Sequence, residues 1–260
     1  MRFLTRTDEI YYDIAKIIAA VESAHQAELA AEREVEAEQY RKFINVMRKL
    51  GWPAFLDGDS DFHGKIVEAF EEGRIEEIEN LIYEHYDHLY LVGIEERISE
   101  SEVIKGDRIP SLSEALLLYQ LRYYHGAVAI ITPQLIGIVS DLERYMEKQS
   151  IEFNPVNVFE IETGCGLQSN SEKGRVLKAV LEGRDINDEQ GEYDCLTNYL
   201  RFKIFENRMN DDDTKHHVSR HLLSHGIQVN YGTKNHALRV IMCLDALVWI
   251  TQVISEEYDT

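Results

Sequence analysis

The sequence predicts an all-α protein, an antiparallel helical bundle preceded by an N-terminal helical region. Three observations carry this. The 260-residue chain holds only four prolines and 15 glycines, so few positions break a helix. It is rich in Ala, Leu and Glu, which lose little freedom on entering one. Apolar residues also recur at three- and four-residue spacing in segment after segment, the period of an amphipathic helix. Hydrophobic content of 44% and charged content of 28% are ordinary for a soluble globular chain with ample core.

Residues 8–50 read as one or two long helices. Ile10, Ile14, Ile17, Ile18, Val21 and Ala24 mark one apolar face, and Tyr40, Phe43, Ile44, Met47 and Leu50 another. The Ala/Glu-rich stretch between them reads as a solvated or partner-facing helix. Gly51-Trp52-Pro53 stops it. After the polar loop from Asp57 to Asp61, Ser60 or Asp61 is expected to cap a helix from His63 to Glu72. Gly73 ends that helix, and Ile75 to Tyr86 forms the next with Ile78, Leu81, Ile82 and Tyr86 inward.

Residues 96–111 are charged and poor in apolar side chains, so they read as a boundary between regions 1–105 and 110–260. A helical pair opens after Ser111 or Ser113. Leu116, Leu117, Tyr119, Tyr123, Tyr124 and Ala127 begin it, and Ile130, Ile131, Leu135, Ile138, Val139 and Leu142 continue past Pro133. From Gln149 to Lys173 an extended loop is expected. A short helix over Val176 to Leu181, a polar turn over 185–191 and a helix from Tyr193 to Asn207 follow. A motif helix over 213–225 and a terminal helix over 234–256 close the bundle.

The chain is organised around Ser219-Arg220-His221-Leu222-Leu223-Ser224-His225-Gly226. RNA cleavage by the neighbouring 2′-hydroxyl needs a proton shuttle and a group that stabilises charge on the phosphorane. Histidine titrates near neutrality and suits the first task. Arginine stays charged and grips phosphate with a planar fork, which suits the second. Positions five apart on a helix lie about 140° apart around its axis, so Arg220 and His225 do not share a face. Two copies across a two-fold make a better site than one helix does.

The motif and its flanks, with Gly226 as helix stop, Tyr231-Gly232-Thr233, then Asn235-His236-Ala237-Leu238-Arg239, resemble the HEPN superfamily in its abortive-infection and toxin branch. Nuclease members of that superfamily carry an arginine and a histidine four to six residues apart. The resemblance implies a metal-independent endoribonuclease of prokaryotic defence or toxin type, acting as a homodimer that leaves a 2′,3′-cyclic phosphate and a 5′-hydroxyl. His225 is then the general acid/base, Arg220 the phosphate contact and His221 an auxiliary polar group. Lys215, His217 and Tyr231 are candidates for touching RNA. An antitoxin or other regulatory partner is also implied. The tyrosine-rich run and Pro133-Gln134-Leu135-Ile136-Gly137 resemble the first helices of the superfamily, with Ile136 where an acidic residue is usual. Asp141 or Glu143 would have to substitute for it.

Two other readings stand beside this one. His217, His221 and His225 follow i, i+4, i+8 spacing and could line one helical stripe as metal ligands. No glutamate or cysteine joins them, and neither metal nor cofactor is assigned. The bundle could equally be an inactive dimerisation or partner-binding module. A net charge of −20 is unlike the basic balance of most nucleic-acid binders, so RNA contact must be local. Cys165, Cys195 and Cys243 are odd in number and scattered, which fits a reducing cytoplasm. The most apolar run, Val128 to Val139, is too short to cross a bilayer, so no membrane is expected.

Overall fold

The structure is a computed structural model that describes residues 34–53, 60–149, 196, 199–205, 215 and 217–258. These are helical or lie in turns and short connections, with no strand among them. The elements expected over 8–33, 150–173, 176–181 and 185–191 lie outside the described residues.

Helix α1 (34–49) buries Phe43, Ile44 and Met47 at the expected spacing. It stops where glycine allows a left-handed turn: Gly51 has φ 66°, and the Trp52 amide reaches back to the Met47 carbonyl at 2.9 Å. Helix α2 (Ser60–Glu71) begins before the expected His63, so Ser60 and Asp61 form its first turn and do not cap it. Gly73, with φ 74°, closes it. Helix α3 (Ile75–His85) matches its expected span and buries Ile78 and Ile82.

Helix α4 (His88–Glu100) corrects the reading of 96–111 as a boundary. Asp87 caps it by accepting the Tyr90 amide at 2.9 Å, and Leu91, Ile94 and Ile98 form its buried stripe. Helix α5 (Ile109–Gln120) starts with Pro110 in its first turn, where a missing N–H costs nothing, and Ser111 and Ser113 are not its caps. The pair break also differs from expectation. The chain turns at Leu121-Arg122-Tyr123, where Arg122 adopts φ 65°, before helix α6 (Tyr124–Lys148). Three connecting residues fold α6 back along α5, and the two pack together. Helix α6 runs through Pro133, and the preceding Thr132 hydroxyl donates to the Val128 carbonyl at 2.7 Å.

Of the helix expected over 193–207, a π-helical turn (Leu200–Ile204) is described, with Leu196, Tyr199, Leu200, Ile204 and Phe205 buried. The expected motif helix over 213–225 is not continuous. Residues 217–219 are non-helical, and only Arg220–Ser224 forms α7. The terminal helix α8 (Lys234–Tyr258) is the axis of the bundle, packed against α4, α5 and α6.

Buried residues from Phe43 to Ile254 form one cluster. Helices on both sides of residues 101–108 therefore share a core, and those residues are the connection between α4 and α5. By length and composition α6 and α8 are long enough and apolar enough to cross a membrane. The run Val128–Val139 thus sits in a longer apolar helix than its own length suggested. Most of α8's apolar stretch, 83% of it, is buried in the bundle, and a helix apolar all round is what a core helix looks like.

That core holds charge. Asp245 of α8 accepts from the Tyr86 hydroxyl at 3.0 Å, the Tyr90 hydroxyl at 2.9 Å and the Arg97 guanidinium. Burial pushes its carboxyl above the ordinary aspartate range, while Arg97 and the two tyrosines pull it back part of the way. Arg239 of α8 bonds Asn235 at 2.6 Å, donates to the Gly51 carbonyl and lies 3.9 Å over the Trp52 ring. Burial lowers its proton affinity. Asn235 reaches Glu79 of α3 at 3.0 Å.

On α6, buried Asp141 pairs with Arg108 at 2.5 Å and Arg144 at 3.4 Å, and Arg108 also bonds Gln134 at 2.6 Å. Gly137 makes room for this, because a Cβ there would collide with the Arg108 guanidinium. Gly→Ala inside a helix normally stabilises by about 1 kcal/mol. Gly137→Ala is expected to do the opposite, by on the order of 3 kcal/mol, since evicting Arg108 strips a buried carboxylate of its main partner. Urea unfolding measures it, and the same change in an Arg108→Ala chain should recover the ordinary gain of about 1 kcal/mol. A stabilised Gly137→Ala single variant would refute the account. Arg122→Gly should raise stability by about 1 kcal/mol, because a residue with a Cβ is strained in the left-handed region. A melting temperature that fails to rise would show that Arg122 makes compensating contacts.

Candidate functional site

The motif segment is built from short-range capping and one buried glutamine. Ser219 is extended (φ −98°, ψ 123°), and its hydroxyl accepts the Leu222 amide at 3.3 Å, capping α7. His225 is the C-cap, and Gly226 with φ 67° closes the turn as the sequence predicts. The Ile227 amide returns to the Leu222 carbonyl at 2.8 Å. Gln228, 5% exposed, fastens the segment from behind. Its carbonyl oxygen accepts the Ser219 amide at 3.0 Å, and its amide donates to the His217 carbonyl at 2.7 Å.

This frame sets α7 against α6, with Leu223 and Tyr231 packed on the core. His221 and His225, one turn apart, meet edge to face with ring centroids 4.5 Å apart. His225 is exposed and His221 half-buried. Arg220, next to that pair and half-buried, has a buried Nε without a hydrogen-bond partner among the described residues. A buried guanidinium N–H without an acceptor is costly in a finished core and useful where an anion is to be received.

The other site candidates separate. His217 is 7% exposed and belongs to the interior. Its Nδ1 meets the Tyr199 hydroxyl at 3.1 Å, and its ring lies against Gly51, where a Cβ would come within 3.2 Å of it. The His217/His221/His225 stripe therefore does not form, because the chain is non-helical between the first histidine and the other two. Among the described residues no group of three His, Cys, Asp or Glu side chains is placed to hold a metal. Lys215 is exposed. Tyr231 is half-buried, edge-on to His125 at the start of α6 with centroids 5.0 Å apart, so it packs on the bundle. Asp141, the possible replacement for the acid missing at Ile136, is committed to Arg108 and Arg144. Glu143 is half-buried.

Gln228 and Ser219, which shape the motif, are not among the residues that the sequence singles out as functional. Serine directly before Arg220 is nonetheless an N-cap signal. Nothing local marks Gln228, whose role depends on segments of chain meeting in space. Compared with protein-family models, curated proteins and solved structures, the chain matches none. Fold and site together define an all-α bundle that presents one arginine and two touching histidines on a short surface helix.

Gln228→Ala removes the acceptor of the Ser219 amide and the donor to the His217 carbonyl, at about 1–3 kcal/mol for each buried group. The expected result is faster amide hydrogen exchange over residues 217–224, with the α8 amides unchanged. Unaltered exchange at Ser219 would show that the glutamine does not hold the segment.

Proposed function

We propose that the chain is a metal-independent endoribonuclease acting as a homodimer, with Arg220, His221 and His225 in its site. The observation that carries the reading is the Arg220 guanidinium, whose buried Nε has no acceptor among the described residues, beside the contacting pair His221 and His225. An imidazole takes the proton of the 2′-hydroxyl as that oxygen bonds to phosphorus. The bond from phosphorus to the 5′-oxygen breaks, and an imidazolium returns a proton to the leaving oxygen. The products are a 2′,3′-cyclic phosphate and a 5′-hydroxyl, with no redox change and no metal needed. Arg220 holds the non-bridging oxygens as charge builds on them.

Two histidines in contact serve this exchange, because one imidazole can take the proton and the other can give one. A step that uses one group as base and another as acid gives a rate that falls at both ends of the pH range. Ile227 and Val229, each 64% exposed, alternate along the segment just after the motif and offer apolar surface beside the site.

The test is cleavage of RNA by the purified chain in EDTA, wild type beside Arg220→Ala and His225→Ala, with end-group analysis. Wild type should cut to cyclic-phosphate ends, and each variant should lose at least on the order of 100-fold. A folded dimer that never cuts, or variants that cut like wild type, would overturn the reading and favour a partner-binding module.

A further inference from the structure

The turn between α5 and α6 keeps an arginine where the backbone asks for glycine. Arg122 sits at φ 65° in a helix-ending turn, with its amide on the Tyr119 carbonyl at 2.9 Å and the Tyr123 amide on the Leu118 carbonyl at 2.8 Å. Strain of this kind, on the order of 1 kcal/mol, persists where the side chain has another use.

Its surroundings indicate the use. Lys234, the first residue of α8, lies with its ammonium 4.0 Å over the Tyr83 ring. Among the described residues neither Arg122 nor Lys234 is in an ion pair, in a chain of net charge −20 in which most other described guanidinium groups, though few ammonium groups, are paired. His125 lies against Tyr231 and over Gly232, which brings the stretch 122–125 beside 231–234, and burial with the neighbouring Arg122 lowers the proton affinity of Lys234. An anion received there would offset the like charge.

Ring surfaces flank the cations. Tyr123 is 66% exposed. His125 is exposed too, its ring held against Tyr231 over Gly232, where any Cβ would collide with it. Arginine, tyrosine, tyrosine and histidine thus follow one another from 122 to 125 and meet Tyr231 and Lys234 from the other end of the motif loop. Helix α6 carries this turn at its start and supports α7 as well.

We propose that the α5–α6 turn and the start of α8 form a ledge for single-stranded RNA, with Arg122 and Lys234 on its phosphates and Tyr123 and His125 against its bases. This rests on the ribonuclease reading for its ligand and adds the substrate class. Cations interleaved with accessible ring faces suit unstacked bases, which a duplex does not offer. The acidic remainder of the surface would repel the wide footprint of a duplex, while a single strand can follow a narrow cationic track.

The experiment is fluorescence anisotropy of a labelled oligouridylate and of a duplex RNA of equal length, in EDTA. It uses the full chain carrying His225→Ala so that nothing is cut. Preference for the single strand is expected. Arg122→Gly and Lys234→Ala should each weaken it about tenfold and flatten the dependence on log salt by about 0.7 for each phosphate no longer held. Tyr123→Ala should weaken it by about fivefold or more. Arg122→Gly is decisive because it relaxes the backbone: a chain that binds worse while folding as well or better places the loss in the ledge. Equal affinity for duplex, or unchanged affinity in Arg122→Gly and Lys234→Ala, would overturn the proposal. So would polyglutamate binding as tightly as RNA with the same variant pattern, which would mark the ledge as a dock for an acidic protein. Loss of binding in a chain whose wild type never cuts would sink the nuclease and leave the ledge. Normal binding by ledge variants of a cutting enzyme would do the reverse.

Discussion

The structure depends on one constraint, that charge buried on the central helix must be met by its neighbours. Helix α8 is enclosed along most of its length, yet it carries Arg239, 3% exposed, and Asp245, 6% exposed. An unpaired ion at such depth would cost several kcal/mol. The end of α1 therefore brings the Gly51 carbonyl and Trp52 ring to Arg239, and the α3–α4 corner brings Tyr86, Tyr90 and Arg97 to Asp245. Apolar packing would tolerate sliding between these helices. Directional bonds to two fixed charges do not.

The same pairing of polar groups separates scaffold from site. In the scaffold, Arg97, Arg108 and Arg239 have acceptors and Asp141 and Asp245 have donors. At the surface near α7 and the α5–α6 turn the pattern changes. Arg220 keeps an Nε without an acceptor, and Arg122 and Lys234 stand together with no ion pair to a carboxylate among the described residues. These groups lie on or beside the start of α6 and the short helix packed against it.

The motif is shallow, and its shape comes from behind. Ser219 caps one end, Gly226 closes the other, and Gln228 ties the backbone of 217–219 to the loop that follows. Such an arrangement fixes the two histidine rings against each other without burying them. Proton transfer needs that combination of fixed geometry and access.

By itself the sequence determined what local chemistry determines. Glycine stops at 51, 73 and 226 were legible because a left-handed turn favours glycine wherever it occurs. The apolar stripes of α1 and α3 were legible because burial follows helical period. Helix α4 was also written there, in the Asp87 cap and the Leu91, Ile94, Ile98 spacing, but its charged outer face read as a boundary. Tertiary structure alone decided the rest. It broke the motif helix at 217–219, drew His217 inward to Tyr199 and so dissolved the histidine stripe. It also ended α5 at an arginine and joined both halves of the chain in one core. Each of these depends on a partner distant in sequence, and a hydrogen bond or buried charge leaves no mark on its own segment until that partner arrives.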